Sequence, residues 1–320
     1  MLDVFMKGCD PKKSRAFLTE NDLEMKFSLS HKLYYSLLRP ILPLPLRGML
    51  QQIRARRIDV RPNFVWSELV DLVKNDQGAW SFIESSLYPS GHDACLILTH
   101  DVETQQGFDF IPQVLALENE LGFRSSWNLV AHKYELRDDI VSLIVGSGHE
   151  IGIHGYNHDG KLYYSRKQFN ERAKYINTAL ARYGAVGFRS PQVHRNLGWL
   201  QELDVLYDAS CFDYDPYQPF PGGTGCIWPF MAGRFVELPY TLPQDHTLFI
   251  VLGMKDISVW LKKTGWLLEN RGMVHALTHP DYLMQRDNLH LYKEFLEYLR
   301  TTPRLWHCLP KELAARYMSL

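Results

Sequence analysis

From Asp93 to Cys308, short apolar runs alternate with amphipathic stretches, and this alternation limits the fold more than any other feature of the chain. Ala94-Cys95-Leu96-Ile97-Leu98-Thr99 is continuously apolar, which suits a strand buried on both faces. Residues 125–130, 148–154, 185–189, 205–208, 235–239 and 273–278 read as further strands. Helices are expected between them over 110–121, 138–145, 165–183 (with Ser165 as N-cap), 197–203, 258–270 and 288–300. Strands and helices alternating at this spacing argue for a mostly parallel sheet. With about seven such units, a closed or nearly closed (β/α) barrel is the economical α/β architecture, and its chemistry belongs at the C-terminal strand ends. Residues 211–234, rich in Pro, Gly, Asp and aromatics, read as a long functional loop or lid. Its aromatics suit either stacking on a bound ligand or packing on the barrel.

The barrel is assigned to residues 91–320 and a partly helical N-terminal extension to 1–90. Residues 1–30 are polar and mixed in charge, and read as loosely ordered or as a small appendage. From His31 to Arg57 the chain is apolar and basic, and Pro40, Pro43 and Pro45 divide it into two helical pieces. That character suits contact with a membrane surface or a partner, or a helix packed on the barrel with its arginines in water. Residues 63–88 read as one more helix followed by a turn.

Composition excludes several classes. A net charge of -1 leaves no electrostatic case for nucleic acid as partner. Five scattered cysteines form no CxxC pair, so neither a disulfide framework nor a thiolate zinc site is indicated. The N-terminus lacks a secretory apolar region and no run reaches the ~18–20 apolar residues of a membrane span, so a cytoplasmic setting is expected. The oligomeric state is left open.

The chemistry centres on Gly148-His149-Glu150-Ile151-Gly152-Ile153-His154-Gly155-Tyr156-Asn157-His158. On a straight strand His154 and His158 would stand about 13 Å apart. A turn through Gly155-Tyr156-Asn157 could bring both rings to the strand's C-terminal mouth. Asp101 or Glu103, at the end of the first barrel strand, can add a carboxylate. Two histidines and one carboxylate leave coordination positions open, which suits catalytic zinc or another divalent first-row metal. A second carboxylate could then serve as general base. Asp101, His154, His158, Arg189, Asp208 and His279 all fall at expected strand ends.

The order of these motifs resembles the polysaccharide deacetylase family, carbohydrate esterase family four, with its NodB-type domain. Leu98-Thr99-His100-Asp101-Val102-Glu103 resembles the first motif, His154-Gly155-Tyr156-Asn157-His158 the second, Arg189-Ser190-Pro191 the third, the surroundings of Asp208 the fourth, and Leu277-Thr278-His279 the fifth. The resemblance spans about residues 93–310. It implies a metal-dependent hydrolase that removes an N-acetyl group from a sugar or glycan precursor, with zinc as the favoured metal, a carbohydrate substrate and exopolysaccharide biosynthesis as the context. It also implies roles. Asp101 is favoured on the metal with His154 and His158, leaving Glu103 as base or as the alternative ligand. Arg189 would orient the base, His279 would be the general acid, and Asp208 would tune His279. Leu277 would line the acetyl pocket, and Gln192 would contact substrate. The first motif lacks the family's adjacent aspartates, leaving Glu103 or His100 for the second role, and Gly155 replaces its usual hydroxyl residue. Two alternatives stay open: an amidohydrolase acting on a small non-peptide C–N bond, and a glycan-binding barrel without catalysis. Pro243-Gln244-Asp245-His246 reads as a surface turn or as lining of a substrate groove.

Overall fold

The computed structural model describes residues 2–9, 23–39, 41–58 and 64–320. Among these residues ten strands form one sheet: β1 (Val4–Phe5), β2 (Ala94–Val102), β3 (Ser126–Leu129), β4 (Glu150–Ile153), β5 (Gly187–Phe188), β6 (Tyr207–Asp208), β7 (Phe230–Ala232), β8 (Phe235–Glu237), β9 (Met273–Thr278) and β10 (Leu305–His307). The apolar run that opens β2 is buried along its whole length, as expected for a strand covered on both faces. It is the hub of the sheet. Parallel partners lie on both its sides, β9 on one and β3 with β10 on the other.

The strands β9, β2, β3, β4, β5, β6 and β8 follow one another in parallel, so the expected α/β barrel of about seven parallel strands is the architecture observed. Among the described residues no strand ladder closes the ring. Instead the amides of Thr241 and Leu242, just past β8, both donate to the His275 carbonyl in β9 at 3.2 Å. These bonds bring the two ends of the curved sheet together.

The main crossover helices are α5 (Gln105–Leu121), α6 (Asp138–Gly146), α7 (Arg166–Tyr183), α9 (Ser258–Glu269) and α11 (Arg286–Thr301). Local chemistry sets their ends. The Thr104 hydroxyl accepts from Gly107 N, and the Ser165 hydroxyl from Gln168 N, which satisfies amides that have no partner inside the helix. Gly122 and Gly184 close α5 and α7 in the left-handed conformation, at φ 81 and 59. Shorter helices are α1 (Leu29–Leu33), α2 (Leu44–Arg56), α3 (Glu68–Asn75), α4 (Gln77–Phe82), α8 (Leu197–Leu200), α10 (Pro280–Leu283) and α12 (Pro310–Ser319).

Several elements differ from the sequence reading. Residues 211–234 are not loop throughout: β7 pairs antiparallel with β8 and carries β1 on its other edge. Thus Val4 and Phe5 add a strand to the barrel sheet, while 10–22 and the sequence features at Pro40 lie outside the described residues. Residues 64–88 form two helices and a π-helical turn, because Asp76 leaves the helical conformation and caps the second helix through Ala79 N. The closing helix α12 begins at Pro310, whose fixed φ and missing N–H suit a first helical position.

Candidate metal and catalytic centre

The strand ends converge as barrel geometry requires. β2 ends at Val102 with Glu103 just beyond it, β4 ends before His154, β5 before Arg189, and β9 before His279. The His154–His158 turn uses two left-handed residues, Gly155 at φ 68 and His158 at φ 58. It brings the two imidazole centroids to 5.0 Å, far closer than an extended strand could. A side chain at position 155 would run into the ring of Pro191, so the hydroxyl residue expected there has no room in this chain.

The His154 Nδ1 donates to the Arg189 carbonyl at 3.0 Å, which leaves Nε2 as the unprotonated nitrogen. That Nε2 is buried and has no hydrogen-bond partner among the described residues. Burial holds the His154 pKa down to about 4, so the ring stays neutral at physiological pH. Facing it, His158 Nε2 lies 3.0 Å from Glu103 Oε1. Burial works against the Glu103 charge, but His158 overrides it and keeps the carboxyl well below its ordinary range. One ligand atom from each of Glu103, His154 and His158 lies within 4.8 Å of the other two. A buried, lone imidazole nitrogen beside a second imidazole and an ionised carboxylate is a donor set that fits a divalent first-row cation.

Asp101 stands beside this group and is held differently. Its Oδ1 accepts from Asn128 Nδ2 at 2.9 Å and from Arg189 Nη1 at 3.2 Å, while Oδ2 lies 3.7 Å from His154 Nε2. Burial opposes its charge, yet His154 and Arg189 bring its pKa below the ordinary carboxylate value. Arg189 is fully buried and every arm has an acceptor. Nε donates to the Ala209 carbonyl at 2.7 Å, Nη1 to Thr99 Oγ1 at 2.8 Å, and Nη2 to His275 Nε2 at 3.0 Å. His275 can accept because its Nδ1 donates to the Pro239 carbonyl at 3.2 Å and burial keeps the ring neutral.

On the other side, His279 Nδ1 lies 2.7 Å from Asp245 Oδ1, and the His279 amide donates to Asp245 Oδ2 at 2.8 Å. His279 Nε2 is 4.0 Å from Glu103 Oε1. Burial by itself would discharge His279, but the Asp245 carboxylate overrides it and lifts the pKa to about 9. Asp281, two residues on, accepts from the Glu103 amide at 2.9 Å and from the Thr104 hydroxyl. It thereby fixes the backbone that carries Glu103.

The structure therefore brings Asp101, Glu103, His154, His158, Arg189 and His279 to one point. It redraws two expectations. The carboxylate clustered with the two histidines is that of Glu103, whereas the favoured Asp101 has Oδ1 committed to Asn128 and Arg189. Asp208 does not reach His279. Its carboxyl bonds the Ser210 hydroxyl at 2.7 Å, and burial pushes its pKa up, as it does that of neighbouring Glu237. Asp245 holds the place expected for Asp208, although sequence reading treated it as a turn or groove residue. Asn128 and His275 carried no local signal, and Thr99 stood out only as part of the first motif. His100 is turned away, bonded to Glu118 at 2.8 Å and stacked on Trp127. Gln192 lies against His158 with its Nε2 3.0 Å from Nδ1, and Leu277 is buried in a small cluster with Val193, Phe212 and Tyr240.

Fold and site together define a (β/α) barrel whose rim carries a candidate cation centre between a carboxylate–arginine pair and a histidine–aspartate pair. Residues 89–196 match the family model for polysaccharide deacetylase. A stretch of 58 residues is 33% identical to the peptidoglycan deacetylase of Helicobacter pylori, covering 18% of this chain and 20% of that protein. The chain thus spans about a fifth of the curated relative it matches. The fold is similar to that of a polysaccharide deacetylase candidate from Mycobacterium smegmatis, with TM-score 0.61 and 17% identity over 72% of this chain and 92% of that one. A probable polysaccharide deacetylase from Pseudomonas aeruginosa PAO1 gives 0.62 and 15% over 72% and 93%, and the Puue allantoinase 0.56 and 16% over 72% and 92%. The resemblance read from the motifs is supported over residues 89–196 by the polysaccharide deacetylase model, and the fold agrees with it across the barrel.

Proposed function

We propose that this protein is a metal-dependent deacetylase that hydrolyses the N-acetyl group of a sugar or glycan precursor. The observation that carries the reading is the buried His154 Nε2, which has no hydrogen-bond partner among the described residues and lies 3.7 Å from the oriented Asp101 carboxylate. In this reading Glu103, His154 and His158 hold the metal, with zinc favoured by the mixed imidazole–carboxylate set. A bound divalent cation polarises the amide carbonyl and makes a water acidic near neutral pH.

The chain's own groups supply the proton transfers. Asp101 is the general base. Asn128 and Arg189 both occupy Oδ1, which turns the carboxylate and leaves Oδ2 to accept the proton of the attacking water. His279 is the general acid. Asp245 keeps its Nδ1 engaged and its ring charged, so Nε2 carries the proton that the departing sugar amine requires. Water and the acetamide then become acetate and a free amine. Leu277, with Val193, Phe212 and Tyr240, offers an apolar wall to the acetyl methyl.

The test is acetate release by metal-loaded protein from a panel of N-acetylated sugars, with a small cyclic amide as control. His154→Ala and Asp101→Asn should abolish release. Turnover of the cyclic amide alone would support the amidohydrolase reading. Release from no substrate would leave a glycan-binding barrel, and the deacetylase proposal would be wrong.

A further inference from the structure

The N-terminal helices present an apolar face to solvent. Leu46, Met49, Leu50 and Ile53 of α2 recur at i, i+3, i+4 and i+7, which puts them on one face, and they are between 37% and 49% exposed. The opposite side holds the helix to the barrel: Ala55 is buried, Gln52 Nε2 donates to the Ile250 carbonyl at 3.0 Å, and Arg54 Nη2 donates to the Gln218 carbonyl at 2.8 Å. This is the reverse of an ordinary surface helix, which turns its apolar stripe inward. The preceding segment repeats the arrangement. Leu29, Leu33, Leu37 and Ile41 are 74%, 48%, 62% and 73% exposed, whereas Tyr35 is buried against Gly160 and His194. Of the 16 exposed large apolar side chains among the described residues, 9 lie between Leu29 and Ile53, so they form a patch rather than a scatter.

Charge says what covers the patch. Between residues 29 and 58 the chain carries Lys32, Arg39, Arg47, Arg54, Arg56 and Arg57 and no Asp or Glu. Arg56 and Arg57 are exposed, and by helical spacing they flank the stripe. An apolar stripe bordered only by cations is the pattern that lies in the interface of an anionic bilayer, where the acyl boundary takes the leucines and the headgroups take the arginines. A protein partner would meet the same leucines, but exposed cations such as Arg56 and Arg57, with no acid between residues 29 and 58, favour a continuous anionic surface.

We infer that residues 29–57 dock this protein on an anionic phospholipid bilayer. The docking face lies over the C-terminal strand ends. Tyr35 packs on the loop after His158, and α2 rests on the turn that follows Asp245. The rim of the site therefore faces the membrane. The inference stands on exposure and charge and does not depend on the catalytic reading.

The test is co-sedimentation of the full chain with vesicles of phosphatidylcholine alone and of phosphatidylcholine mixed with phosphatidylglycerol. Binding to the anionic vesicles is expected, falling with added salt. Leu37→Ser with Leu50→Ser, and separately Arg56→Ser with Arg57→Ser, should each lower the bound fraction by roughly ten-fold. All four positions are exposed, so the variants should keep the parent circular dichroism. A parent chain that stays in the supernatant with anionic vesicles overturns the inference, as does binding that both double variants retain. A dimer in sedimentation equilibrium that the leucine variant dissociates, without vesicle binding, would make the patch a self-association surface and overturn it equally.

Discussion

Replacing Asp245 by Asn removes the charge that keeps His279 protonated while keeping the size and one acceptor oxygen. Asp245 accepts from the amide and Nδ1 of His279 and from the amide of His246 at 2.7–2.8 Å, and asparagine can serve only part of that set. With the carboxylate in place the His279 pKa is about 9, raised from 6.5. At ~1.36 kcal/mol per unit the difference amounts to about 3 kcal/mol of preference for the charged ring. In D245N burial acts with less opposition, and the pKa should fall toward 6.5. At pH 8 a group of pKa 9 is mostly protonated, and one of pKa 6.5 is roughly thirty-fold less so. The His279 Cε1 proton, followed by NMR in metal-free protein, should therefore titrate near 9 in the parent and two or more units lower in D245N, by the same reasoning. The alkaline limb of kcat/KM in metal-loaded enzyme should move the same way. Stability gives an independent sign. Because the folded pKa lies above the unfolded value, the His279 contribution is complete below about pH 6.5 and fades as pH rises through 9. The parent's advantage over D245N in metal-free unfolding should thus shrink across that window. If D245N keeps both the NMR titration and the alkaline limb of the parent, the assignment of Asp245 as the His279 partner in acid catalysis is wrong.

Three further outcomes follow from the site. Glu103→Gln should lose metal measured by plasma emission, whereas Asp101→Asn should retain metal and lose turnover; the reverse pattern would return the ligand role to Asp101. His275→Leu should lower kcat with little change in KM, because it strips the acceptor from a buried Arg189 arm at a cost of about 1–3 kcal/mol; His275→Gln, able to accept again, should recover part of it. Gly155→Ala should lower the melting temperature and weaken metal binding together, since the left-handed backbone and the Pro191 ring each oppose a Cβ, with about 1–3 kcal/mol from the backbone alone; an unchanged metal content would refute the link between this turn and the histidine pair.

Some of the centre was readable from spacing. His154 and His158 are four apart across a glycine, and Arg189 and His279 each follow an apolar run, so their place at strand ends needed no coordinates. The two carboxylates of the first motif were both visible, but alternation along a strand sends residues 101 and 103 to the same side. Which one joins the histidines depends on Asn128 and Arg189 holding Asp101 from neighbouring strands, and on Asp281 fixing the Glu103 amide. Asp208 was misjudged for a similar reason: its neighbours in space are Ser210 and Glu237. Asp245 lies 34 residues from His279 and meets it only because the chain past β8 bonds to β9 through the His275 carbonyl.

By itself the sequence determined the alternation of buried strands and amphipathic helices, and hence a parallel barrel with its chemistry at one rim, because hydrophobic period and helix-end chemistry act over a few residues. Only the tertiary structure decided the partners: Glu103 with the histidines, Asp101 with Arg189, Asp245 with His279, and an apolar stripe on α2 turned to solvent. Those choices rest on the register between strands distant in sequence and on which side of a helix meets the barrel. Neither is written in the local pattern, since a hydrogen-bond ladder or a helix face can pair with any complementary neighbour until the whole chain is packed.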